Sequence, residues 1–448
     1  MEFKYNDKIT IPNLGREAVM ESVKRAEDDL LSKSRSERDV AIDFYYNKNL
    51  DKHIEPWFPG TSLSQIPPAP MQLVRRFARS RMLLWRKPPE RFINGSPADD
   101  YELLTHHLDT TCREASELAW LLGNMHIRSW WNERHERLEY DIIEHAKEYI
   151  LQGEREPFGI SYEIGKDLRG NRQFVFWSEE RDGEPGLHFK FDTSGKINPV
   201  GDNVSLINPY KILPFSRIRF SADASDVTRM GIHASIGWTE IMLGVRGNLG
   251  TLAISGIDTE IPDLKTGPDR VWALPEGSTA SYVNPGSNLK DMIESVKMLV
   301  NQTASNHSLA IRWGEGGTPP SGEALRILEI ENVQSREADI PLFKEWEESR
   351  YEVDRTILQV HTGKSLGEDY YVDFGEHGQI TTWADEKSRL EFMIQHNLIS
   401  QKELIRYFNP DADEAEINAK LGELQEEIPE EPQQTTFEGL RRLGSVSA

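Results

Sequence analysis

Residues 287–303 read SNLKDMIESVKMLVNQT, and their spacing sets how the rest of the chain is read. Leu289, Met292, Ile293, Val296, Leu299 and Val300 recur at i, i+3, i+4 and i+7, one apolar stripe of an amphipathic helix. Ser287 or Asn288 can cap its start. After Thr303 the period stops. Residues 304–322 read ASNHSLAIRWGEGGTPPSG, where Gly314, Gly316, Gly317 and the pair Pro319–Pro320 exclude a continued helix or a central strand. Helical spacing resumes from Ser321, and Pro341 is expected to interrupt it. Phe343, Trp346, Arg350, Val353, Ile357 and Val360 then share a face until Gly363. A loop this long between packed helices is expected to be functional or disordered, with a plain surface connection as the ordinary alternative.

Working outward, the 448 residues carry 74 acids against 52 Lys and Arg, a formal net charge of −22. That balance argues against a protein that clamps nucleic acid over its whole surface, because phosphate affinity needs clustered cations. It leaves room for light contact with DNA. Length suggests two to four domains, and 38% hydrophobic residues with eleven Trp suggest a folded chain. Cys112 is the single cysteine, so no intramolecular disulfide forms and a reducing cytoplasm is expected. MEFKYNDK at the start lacks the apolar core of a signal peptide, and no apolar run is long enough to span a membrane.

Val19, Val23, Ala26 and Leu30 give residues 13–48 a helical pattern, and residues 57–70 read as an extended connection. The concentrated basic stretch follows: Arg75, Arg76, Arg79, Arg81, Arg86, Lys87 and Arg91 against Glu90 alone. Arg75, Arg76, Arg79 and Arg81 are a candidate basic contact patch, meeting either phosphate or the acidic surface of this or a neighbouring subunit. Residues 99–152 read as helical, with one stripe through Leu104, Leu108, Cys112, Ala115, Leu118, Leu121 and Leu122. A second stripe runs through Leu138, Ile142, Ile143, Ala146 and Ile150. The histidines among them lack the spacing of a metal site.

From Gly159 to Phe220 the period changes to two: ISYEI, QFVFW, LHFKF and RIRF read as strands separated by turn signals such as Asp182–Gly183. A helix follows through Val227, Met230, Ala234, Trp238, Ile241, Val245 and Leu249. Gly231, Gly237, Gly244 and Gly247 within it are tolerable only if something packs closely there. YYVDF and QITTW suggest a strand pair near Gly375 and Gly378. Residues 385–432 hold thirteen acids against five bases and read as two short helices and a third, before a polar tail from Glu426. Walker, GxGxxG, HExxH and GxSxG signatures are missing, and the Gly314–Gly317 run lacks the Lys-Ser/Thr of a phosphate loop.

Four segments resemble the portal proteins of tailed bacteriophages. Ser321, Gly322, Ala324 and Leu325 (SGEAL) are similar to that family's S/T-G-x-A-L segment after the loop lining the DNA tunnel. Leu213–Pro214–Phe215 resembles its Pro-Phe lead into a stem helix. Residues 397–403 (NLISQKE) resemble its G-x-I-S-K-E-T turn, with Asn397 where Gly is usual, and DADEAE at 411–416 resembles its acidic cap. The resemblance covers most of residues 130–425.

It implies an α+β, mainly α, portal fold: a wing (1–133 and 250–385), stem helices (134–154 and 220–249), a β-rich clip (155–219), a tunnel loop (304–322), a crown (386–425) and a tail (426–448). It implies a homo-oligomeric ring of about twelve subunits at a capsid vertex of the virion, assembled in the host bacterial cytoplasm. The implied partners are the terminase large subunit, head–tail adaptor and tail proteins, the major capsid or scaffold protein, and double-stranded DNA passing through the channel. Neither catalysis, a cofactor, a metal nor a membrane is implied. Arg312, Trp313, Gly314, Gly316, Gly317, Thr318 and Ser321 would face the tunnel. An acidic α+β enzyme acting on polysaccharide or nucleotide substrates is the alternative from another class.

Overall fold

In a computed structural model of the chain, residues 8–421 are described, except 12, 31–32, 59–70, 168–169, 202–203, 248–250, 256–278, 284–288, 310–321, 376–382, 397, 409–416 and 419. The fold is mixed α and β, with helix predominating (49% against 24% strand). Two compact units form. One holds 1–314 and 331–376, the other 315–330 and 377–448.

The first unit opens with β1 (Lys8–Ile11), α1 (Arg16–Leu30), α2 (Lys33–Tyr46), α3 (Leu50–Ile54) and α4 (Leu73–Arg81). A short hairpin, β2 (Glu90–Ile93) with β3 (Ser96–Pro97), leads through α5 (Asp99–Glu102) to α6 (Leu108–Leu122). The first apolar stripe behaves as its spacing requires: Leu108, Cys112, Ala115, Leu118 and Leu121 are all buried on α6.

The helix expected over 134–154 does not form. That region instead runs through β5 (Arg137–Ile143) and β6 (Ala146–Leu151), after β4 (Asn124–Asn132). The physical reason lies in the spacing. Leu138, Ile142, Ala146 and Ile150 stand four apart, a separation that satisfies a strand's period of two as well as a helix's 3.6. Pairing decides the matter. β5 pairs with β4 from Arg137↔Asn132 to Ile143↔His126, and β6 pairs with both β1 and the next strand.

The strands read from 159 to 220 are present as β7 (Pro157–Lys166), β8 (Arg172–Ser178), β9 (His188–Asp192), β10 (Ile197–Asn198) and β11 (Phe215–Arg219). They do not make a self-contained insertion beginning at 155. The sheet order is β1-β6-β7-β8-β9-β10, while β11 joins β4 and β5 in a second sheet. Phe158, Phe174, Phe176, Phe189 and Phe191 form one buried cluster with Ile11, Val19 and Val23 from the start of the chain. The sheet is therefore bound to α1 by its own core.

Next come α7 (Ser225–Gly247), β12 (Thr251–Ser255), β13 (Thr279–Val283), α8 (Leu289–Asn306), α9 (Gly322–Thr362) and β14 (Tyr370–Asp373). Pro341 does not break α9, which runs through it for 41 residues. One missing amide donor does not stop a helix whose downstream face is pinned by Phe343, Trp346 and Glu347, all buried. YYVDF does form a strand, but β14 pairs with β2, register Tyr370↔Ile93 to Asp373↔Glu90. Residues 379–382 of QITTW lie outside the described residues, and Trp383 opens a helix.

The second unit contains α10 (Trp383–Gln395) and α11 (Gln401–Phe408), joined by a small core of Leu390 and Leu404. Ser400 and Glu403 form a reciprocal cap on α11: the Glu403 amide donates to Ser400 Oγ (3.2 Å), and the Ser400 amide donates to Glu403 Oε2 (2.8 Å). The ISQKE segment thus gains a physical role. Asp411–Glu416 lie outside the described residues.

Candidate functional site

α7 and α8 pack antiparallel, and glycine makes the approach. A Cβ on Gly237 would stand 2.9 Å from Val296 Cγ2, and one on Gly244 would stand 3.0 Å from Leu289 Cδ2. At the other end, Gly231 faces Val74 of α4, where a Cβ would come within 2.6 Å of Cγ2. These three glycines are therefore sites of close packing. Along the same buried face, Ser235 donates to the Gly231 carbonyl and Thr239 to the Ser235 carbonyl, so neither hydroxyl is left without a partner.

In the sequence between α7 and α8, β12 pairs antiparallel with β13, from Thr251↔Val283 to Ser255↔Thr279. Two long helices thus flank a β-ribbon in the sequence.

The end of α8 is the root of the 304–322 segment. Ser308 sits at φ +56° as α8 closes, and the Leu309 amide donates back to the Ala304 carbonyl (2.9 Å), a left-handed helix stop. His307 Nε2 lies 2.8 Å from Asp226 Oδ1 at the first turn of α7, and Trp120 of α6 meets the imidazole edge-on at 5.0 Å. Burial raises the Asp226 carboxyl, but the hydrogen bond and charge of His307, with hydrogen bonds from Asn306 and the Val227 amide, together outweigh it and hold the group below the usual carboxylate range. Leu309 is buried beside the root.

Arg312, Trp313, Gly314, Gly316, Gly317, Thr318 and Ser321 lie outside the described residues. Gly322, Ala324 and Leu325 open α9.

Further along α9, a buried charge network holds the first unit together. Glu347 accepts from Arg350 Nη2 (2.6 Å), Arg91 Nε (3.2 Å) and the Tyr370 hydroxyl (2.7 Å). Asp354 accepts from Arg350 Nη1 (2.6 Å) and the hydroxyls of Tyr101 (2.6 Å) and Tyr140 (2.9 Å). Arg91 reaches Asp109 as well (2.6 Å). Burial would raise the Glu347 carboxyl; Arg350 and Arg91 overcome it and hold it at about 2. Burial lifts the Cys112 thiol and the Tyr101 phenol, so both stay neutral. Six elements meet here: α5, α6, α9, β2, β5 and β14.

A second buried group ties β4 to β6 and β11. His126 Nε2 and Arg217 Nη1 lie 2.9 and 2.8 Å from Glu148 Oε1. Burial raises that carboxyl, yet its hydrogen bond with His126 and the Arg217 cation bring it to about 2.

The basic stretch divides. Arg81 pairs with Asp339 of α9 (2.5 Å), so it is not part of an open patch. Arg91 is sealed in the network. Arg75, Arg76 and Arg79 instead join Arg113 of α6 around a concavity of about 610 Å³. Sequence reasoning missed Arg113, because nothing in its neighbourhood on the chain is basic; the fold brings it across from α6. It equally missed the Glu347–Arg350–Asp354 spacing, which puts three charges on one buried helix face.

Among the described residues, no group of three or more His, Cys, Asp or Glu is placed to hold a metal ion, and no helix is long and apolar enough to cross a membrane. No family model matches the chain, and no curated protein matches it. Among solved structures, a chain from the neck of an empty GTA particle computed with C6 symmetry is similar over 79% of this chain and 90% of that one. The identity is 11% and the TM-score 0.37, a likeness too slight to carry a functional argument.

Proposed function

We propose that the chain is a portal protein, forming a ring at one capsid vertex through which DNA is packaged and ejected. The observation that carries the reading is the α7–α8 hairpin: two antiparallel helices with a β-ribbon between them in the sequence, and the Gly- and Pro-rich segment followed by long α9 after them. With 134–154 in strands, the stem is assigned to α7 and α8, and the clip to residues 248–288 between them. The sheets and α1–α6, with α9 and β14, then make the wing, and residues 386–425 the crown. Terminase would dock first, and adaptor or tail proteins afterwards.

Residues 304–306 end α8 and Gly322 opens α9, so the tunnel loop is assigned to 307–321. Its root is fixed by the His307–Asp226 pair. In that assignment Arg312 would contribute one cation per subunit, so contacts with phosphate would be weak, salt-sensitive and independent of sequence.

Native mass spectrometry with negative-stain microscopy tests the ring. Closed rings near twelve chains support the portal; a monomer or dimer at every concentration and salt returns the reading to the enzyme alternative. Deleting 314–318 is expected to leave rings and thermal stability nearly unchanged while impairing packaging or retention of DNA. Unimpaired packaging with that deletion would remove the loop from the tunnel.

A further inference from the structure

The concavity on α4 and α6 is basic, against the acidic balance of the chain as a whole. Arg75, Arg76, Arg79 and Arg113 border it, and Glu117 is the one acid in its lining. Glu117 is already engaged: it accepts the Tyr45 hydroxyl at 2.5 Å and lies 3.6 Å from Arg79 Nε. Burial also pushes its carboxyl up, which weakens it as a counter-charge. Arg75 stacks on the Tyr45 ring at 5.4 Å, which fixes its guanidinium at the wall, and its Nε is buried without a hydrogen-bond partner. Arg76 and Arg113 are exposed and have no ion-pair partner among the described residues. Four guanidinium groups therefore converge against one compromised acid, in a chain whose net charge is −22.

Planar guanidinium forks match carboxylates best when two donors meet two oxygens. The chain presents a complementary surface. Glu345, Glu348 and Glu352 are exposed on α9 at i, i+3 and i+7, one stripe of the helix, and none has an ion-pair partner among the described residues. A basic hollow and an acidic ridge on different elements suit a heterologous contact, in which one surface of a subunit meets another surface of the next.

We infer that the Arg75–Arg76–Arg79–Arg113 concavity receives the Glu345–Glu348–Glu352 stripe of a second copy of this chain. The inference rests on the ring reading and adds to it the pair of surfaces that join neighbouring subunits. Arginine forks and exposed carboxylates give the contact direction and register, and the contact weakens with salt as the Debye length falls from about 10 Å at 0.1 M to about 3 Å at 1 M.

The test is a charge-reversal cycle on the full chain, read by analytical ultracentrifugation and native mass spectrometry. Arg76→Glu with Arg79→Glu is expected to raise the concentration for half-assembly by about tenfold or more, as is Glu348→Arg with Glu352→Arg. Mixing the two reversed chains, or combining all four changes, is expected to recover most of that loss. Circular dichroism and the thermal transition check that each variant is folded, which exposed positions permit. Assembly unchanged in either reversed pair overturns the inference and leaves the ring intact, as does failure of the combination to recover. A labelled DNA duplex is the second probe: loss of duplex binding with assembly untouched would make the hollow a phosphate site and overturn the inference. A wild-type chain that never assembles overturns both this contact and the ring.

Discussion

Arg91 and Arg79 belong to the same basic stretch, yet the fold puts them to opposite uses. Arg91 is sealed beside Glu347, with its second partner Asp109 at 2.6 Å. Arg79 keeps half its side chain in solvent and borders a hollow with three other arginines. The first cluster is closed: every charge in it meets an opposite charge or a hydroxyl, and six elements depend on it. The second is open and has an excess of one sign. A buried pair matters chiefly when one member is removed, because the survivor is left uncompensated, whereas an exposed arginine loses little. Position in the fold, not residue type, decides which arginines are structural and which are offered to a partner.

That contrast is broken first by Glu347→Ala. It leaves Arg91 and Arg350 buried without their shared carboxylate and is expected to destabilise the chain by about 3–5 kcal/mol. Urea unfolding of the first unit measures it, and a loss below about 1 kcal/mol would mean that the network is not the lock described.

Acid sharpens the same point. The folded Glu347 value of about 2 lies below the reference of 4.5, so its contribution is whole above about pH 4.5 and is lost as pH falls through about 2. The loss reaches about 3 kcal/mol for that group, and Glu148, also held at about 2, adds in the same window. Urea midpoints followed from about pH 6 down to about pH 2, the span in which carboxylates take up protons, are expected to fall in wild type and to fall less steeply in Glu347→Gln. Parallel curves would contradict the assignment.

The glycine-packed hairpin provides an apolar standard for the comparison. Gly231→Ala gains about 1 kcal/mol of helix propensity but forces a Cβ to 2.6 Å from Val74 Cγ2, and overpacking costs about 1–3 kcal/mol. A net loss near 1 kcal/mol in thermal or urea unfolding is expected, and a gain would show that α4 moves aside freely. The smallest effect belongs to the open cluster. Arg76→Ala is expected to change the stability of a subunit by no more than about 0.5 kcal/mol, measured under the same conditions. A larger loss would make the hollow part of the folded lock.

The periodicity of 289–300 and 227–249 was enough for α8 and α7, because long amphipathic or glycine-marked helices announce themselves over several turns. The strands from 159 to 220 were equally legible, since aromatic and β-branched residues alternate there and Asp182–Gly183 supplies the tight turn, both at positive φ. Four-residue spacing could not separate helix from strand over 138–150. There, the choice came from backbone partners offered by β4, β1 and β7, which are distant information for any local pattern. The chain also carried no local sign that Pro341 would be absorbed in α9, because the compensating contacts of Phe343 and Trp346 come from other elements.

The site shows the same division. The composition of 304–322 marked a break between helices, and the seven cations of 75–91 marked an unusual charge density. Residue type and spacing by themselves determined those two features, together with a helix on either side of the break. Only the tertiary structure decided that Arg81 and Arg91 are consumed internally, that Arg113 joins Arg75, Arg76 and Arg79, and that Glu347, Arg350 and Asp354 face inward. The reason is physical: a charge is stabilised by whichever opposite charge and hydrogen-bond donors the fold brings within a few ångströms, and those partners lie on other elements of the chain.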